Sequence, residues 1–153
     1  MNITLAFRHG GGLFCLFVLL LVLRMAKQFG LGKKQRLKSR KIIEELFNEG
    51  KSFSSGFIRV HYLFTENGPA LQFGAGASTR NFKKSVDRNQ IKRRLREAWR
   101  LQKLPLTELL LKQNHKLAVF FIYSGKELPD YKVVFDSTTK AISKLEKIIN
   151  AAS

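Results

Sequence analysis

The residues best suited to chemistry lie between Asp87 and Arg100. There Arg88, Lys92, Arg93, Arg96 and Arg100 recur at helical spacing, with Glu97 the only acid from Arg88 to Arg100. Guanidinium forks grip phosphate oxygens in pairs, and a helix start adds free N–H groups, so such a ladder suits a nucleic-acid backbone. At about 100° per residue, Ile91, Leu95, Ala98 and Trp99 form an apolar arc beside the basic one. The same helix can therefore lie on a sheet and present cations outward. Asp87 with Gln90 has capping-box spacing, and Ser85 is a second candidate cap, so the helix is expected to start here. A solvated charged face normally mixes signs, and this one does not, which favours RNA contact. A membrane-surface helix needs bulky apolar residues along its whole opposite face, which Ala98 and the narrow arc do not provide.

Other chemistries lack their parts. The sequence shows no nucleophile–base pair, no metal-ligand spacing and no phosphate-cradling glycine loop, so no catalytic or metal-binding residue is expected. His9, His61 and His115 are scattered, and the lone Cys15 has no internal disulfide partner, which points to a reducing compartment.

The elements that must position the basic helix follow from patterning. A chain of 153 residues fits one domain, and its 28 Lys+Arg against 11 Asp+Glu give a formal charge of +17. With 44% hydrophobic residues and 13 Phe it is no disordered basic tail, and its charge makes nucleic acid or an anionic membrane the candidate partners. Ser39 is placed to cap a helix through Ile42, Ile43, Leu46 and Phe47, and Gly50 stands where a left-handed C-terminal residue is wanted. Phe57 to Phe64 alternates as a strand, with Ile58, Val60, Tyr62 and Phe64 on one face and Arg59 and His61 on the other. After the Asn67-Gly68-Pro69 turn signal, Leu71 to Ser78 reads as a strand whose Gly74 and Gly76 permit close approach by another element. Lys116 to Tyr123 (KLAVFFIY) has the nearly continuous apolar run of a central strand. Residues from about Asp130 to Asn150 place Val134, Thr138, Ala141, Ile142, Leu145, Ile148 and Ile149 at helical spacing. These elements predict one α+β domain over residues 25–153.

The first 24 residues do not match the rest. Leu13 to Leu23 (LFCLFVLLLVL) covers as a helix only about half of a hydrocarbon core of about 30 Å, and it lacks a small-x-small cleavage site. Met25 opens MAKQFGLGKKQRLKSR, an ordinary start for a cytosolic basic protein. Residues 1–24 are accordingly expected to be an extension read from an upstream start codon, with a membrane anchor or a buried helix as the alternatives.

From Phe73 to Arg100, with Arg88-Asn89-Gln90 followed by Ile91-Lys92-Arg93, the sequence resembles the protein component of bacterial ribonuclease P. The resemblance runs from about Lys33 to Ile149 and takes in Arg36-Leu37-Lys38, Phe47 and Glu49-Gly50-Lys51. It implies an α/β sandwich with a central mixed sheet of about four strands, three helices and a left-handed βαβ crossover, ribosomal protein S5 domain 2-like, against the usual right-handed rule. It also implies a catalytic RNA partner that removes the 5′ leader of precursor tRNA, with Mg²⁺ held mainly by that RNA. Arg88, Asn89, Lys92, Arg93 and Arg96 match the family's motif for contacting the catalytic RNA. Phe47, Arg59, His61 and Arg80 fall where the family has its cleft for the single-stranded leader, and stacking on aromatics beside cations is how single strands bind. The resemblance thus predicts a cytoplasmic ribonucleoprotein subunit with no obligate protein partner. Gln90, Ile43 and Thr79-Arg80-Asn81 depart from the family pattern. The alternative is a non-enzymatic RNA-binding protein, ribosome-associated or an RNA chaperone. A membrane-attached basic protein is a third, weaker reading, resting on Leu13 to Leu23.

Overall fold

The apolar run KLAVFFIY becomes the strand around which the chain is organised. In the computed structural model, which describes residues 30–152, a single 3-10 turn at Lys33–Gln35 leads to α1 (Arg40–Asn48), β1 (Lys51–Ser55), β2 (Ile58–Phe64) and β3 (Leu71–Ala77). Then come α2 (Ser85–Gln102), α3 (Leu104–Lys112), β4 (Leu117–Tyr123) and α4 (Tyr131–Ala151). The expected extension over residues 1–24 lies outside the described residues.

The strands pair in the order β1-β2-β4-β3, with β3 parallel to β4 and the other pairs antiparallel. β4 therefore has neighbours on both edges, as its composition requires. The alternating pattern divides the sheet cleanly. On the first face Ile58, Val60, Tyr62, Leu71, Phe73, Leu117, Val119 and Phe121 are buried under α2, α3 and α4. On the second face Leu37, Leu46 and Ala118 form a smaller cluster, joined by Ile42, Ile43, Leu63 and Phe120. Helices on both faces of the sheet make the expected α/β sandwich.

The hand of the crossover follows from one residue. Phe73 stacks its ring on Trp99 of α2, with centroids 4.4 Å apart and planes 9° apart. Its carbonyl points away from β4 and accepts a hydrogen bond from Leu37 N at 2.9 Å. For an L-residue whose side chain faces the viewer on an upward strand, the carbonyl points right. β4 thus lies to the left, and the β3–α2–α3–β4 connection is left-handed.

Three local expectations need correction. Four α-helices occur among the described residues where three were expected. The addition is α3, which begins one residue after α2; Pro105, which reads as a breaker, sits in its first turn, where a missing N–H costs nothing. The basic helix starts at Ser85, with Lys84 as its N-cap and no side-chain cap, so neither Asp87 nor Ser85 serves as one. Asp87 instead lies in the first turn, favourably placed against the positive end of the helix dipole. Gly50 is not left-handed, since the positive-φ residues among the described residues are Asn114, Gly56 and Gly68. It is required by proximity, as a Cβ there would stand 2.1 Å from Leu46 O.

Candidate nucleic-acid interface

The α2 surface is built by its buried arc. Ile91, Leu95, Ala98 and Trp99 are fully buried, and Trp99 also meets Phe121 edge-on at 5.2 Å. That packing fixes the rotation of the helix and turns Asn89, Arg93 and Arg96 to solvent, with Lys92 half-exposed. None of these four side chains makes a hydrogen bond or ion pair within the described residues. Their donors are unspent.

The other arginines of α2 do have partners. Arg88 falls on the same side as Leu95 and Trp99 at the helical step, so its guanidinium turns inward. Its Nη1 donates to the carbonyls of Phe82 at 2.8 Å and Lys83 at 2.6 Å, holding the loop before the helix. Arg94 donates to the carbonyl of Pro129 and so ties α2 to the segment before α4. Arg100 pairs with Glu97 at 2.5 Å, and hydrogen bonding to Arg100 holds the Glu97 carboxyl below its usual range.

The second sheet face carries the other predicted residues. The register places His61 opposite Phe120 and Phe120 opposite Gly74; the next row is Arg59, Ile122 and Gly76. Phe47, exposed on the last turn of α1, tilts against His61 at 4.7 Å and meets Phe120 edge-on at 5.5 Å. An aromatic wall thus rises beside an open row that ends in the exposed cation Arg59. Burial, and secondarily the Arg59 charge, hold the His61 imidazole below its usual range. It is neutral near pH 7. Arg80, exposed in the turn after β3, lies near the same end of the sheet as Arg59 and Gly76, without a partner among the described residues.

Phe120 is the candidate site residue that periodicity hid, because its strand reads as uniformly apolar. Its ring lies across Gly74 and Gly76, where an added Cβ would stand 2.3 Å and 2.9 Å from ring carbons. The element that the two glycines admit is this ring. Phe120 and His61 supply the ring partners of Phe47. The unequal size of Phe120 and its two facing glycines was the available signal.

The profile of the ribonuclease P protein family, described as Ribonuclease P, matches residues 31–146. The chain belongs to that family. A ribonuclease P protein component from Porphyromonas gingivalis is 34% identical over 119 residues, covering 76% of this chain and 87% of that protein. One from Chlorobium phaeobacteroides is 29% identical over 116 residues, covering 68% and 80%. The fold is shared with the ribonuclease P protein of Staphylococcus aureus, with a TM-score of 0.60 at 18% identity, covering 76% of this chain and 99% of that one. Proteins of this family act with ribonuclease P RNA in the 5′ processing of tRNA, so the chain is a subunit of an endoribonuclease. No helix of the described residues is long and apolar enough to cross a membrane.

Proposed function

We propose that the two faces divide the work of the ribonucleoprotein. Asn89, Lys92, Arg93 and Arg96 dock α2 on the backbone of the catalytic RNA, with Arg88 holding the start of the helix and contributing its remaining donors. Phe47, His61 and Phe120 stack bases of the single-stranded 5′ leader, while Arg59 and Arg80 take its phosphates. The observation that carries this reading is the pairing of an outward cation stripe with unspent donors and, on the opposite sheet face, an aromatic wall beside a cation.

Mg²⁺, when held by the RNA, would supply the activated water and the stabilisation of the leaving oxygen. The protein screens phosphate repulsion and places the substrate, working in the cytoplasm. Reconstitution tests the division. The purified chain alone should leave precursor tRNA uncut, and its cognate catalytic RNA should cleave at low Mg²⁺ only when the chain is added. Replacing Arg93 and Arg96 by Ala should reduce the log–log salt slope of catalytic-RNA binding by up to about one unit per lost phosphate contact. An unchanged slope would place the docking surface elsewhere.

A further inference from the structure

Ahead of α1 and in its first turn, Lys33, Lys34, Arg36, Lys38, Arg40 and Lys41 place six cations within nine positions that contain no acid. Such a run is normally a solvated tail. Here the backbone is held. Gln35 N donates to Gly32 O at 3.0 Å in the 3-10 turn, and Leu37 N donates to Phe73 O at 2.9 Å. Arg36 forms a parallel bridge with Phe73, so the segment runs along the outer edge of β3. Gln35 Oε1 also accepts a hydrogen bond at 2.5 Å from Nζ of Lys103, a lysine only 2% exposed at the corner between α2 and α3. Leu37 is buried on the other face with Leu46 and Ala118.

The path therefore begins beside α2, rounds the β3 edge and ends in the helix that carries Phe47. None of its six cationic side chains has a hydrogen bond or ion pair within the described residues. Cations on a fixed backbone lose less freedom on binding than those of a flexible tail. We infer that residues 33–41 form a third phosphate-binding surface, a cationic track that carries RNA backbone round the β3 edge between the α2 surface and the leader cleft. This rests on the proposed division of the two faces. The phosphates come from the catalytic RNA or from the substrate, and both sources present the same chemistry.

The test compares the full chain with a Lys34→Gln, Arg36→Gln, Lys38→Gln variant. A control variant, Lys132→Gln, Lys140→Gln, Lys147→Gln, removes equal charge from exposed positions of α4. Circular dichroism melts establish that each is folded. Salt-dependent binding is measured in two arms: chain to catalytic RNA, and reconstituted holoenzyme to precursor tRNA with and without its leader. At about 0.15 M salt each lost phosphate contact should weaken binding about four- to six-fold and lower the slope by about 0.7 to 0.9. The track variant should show this in one arm, which names the source, and the control should not. Equal behaviour of track and control variants in both arms would overturn the inference alone. Failure of the unaltered chain to stimulate the catalytic RNA would instead overturn the functional reading on which it rests.

Discussion

At the scale of single residues, His61 and Arg88 have duties that their identities do not announce. Because the folded protein holds His61 below its usual range, the unfolded chain takes up a proton first as pH falls. The folded state should lose stability from about pH 6.5 downward, until the lower folded value is passed. Urea unfolding at about pH 7.5 and about pH 5.5 measures that loss, and His61→Gln should reduce the difference between the two midpoints. Arg88 holds two carbonyls of the preceding loop. Arg88→Ala should therefore cost about 1–2 kcal/mol in unfolding free energy as well as weaken RNA binding. Arg93→Ala, with no partner to lose among the described residues, should not lower the unfolding midpoint and should weaken RNA binding.

At the scale of elements, α2 depends on one side chain. Trp99 stacks on Phe73 and abuts Phe121, so Trp99→Ala should cost about 3–5 kcal/mol, read by chemical denaturation. The face of α2 was legible because apolar and basic positions recur at one period; its start was not, because the stabilising group is a guanidinium reaching back across five or six residues. β2, β3, β4 and α4 could be read from alternation or helical spacing. β1 could not, since Lys51, Ser52 and Ser54 leave its edge-strand pattern mostly polar. α3 escaped notice because LPLTELLLK is apolar nearly all round and opens on a proline. The predicted cleft residues Phe47 and His61 do meet, but the ring between them and the glycines needed a tertiary neighbour to become visible.

At the scale of the whole molecule, the two sheet faces should be separable by mutation. Gly74→Val displaces the Phe120 ring and should weaken leader-dependent binding of precursor tRNA about ten-fold, within the usual worth of one stacked base, while catalytic-RNA affinity stays unchanged. Comparing substrates with and without a leader measures this, and equal weakening of both would show that the cleft does not read the leader. The stripe of Lys92, Arg93 and Arg96 has a consequence before any RNA is met. With +17 on the chain and no carboxylate paired to that stripe among the described residues, the folded subunit carries self-repulsion that an outside polyanion neutralises. RNA is thus the counterion that the sequence omits. Assembly should raise the melting temperature of the chain, and added salt should raise it in the unassembled protein, so that the subunit is at its least stable when made in excess of its RNA.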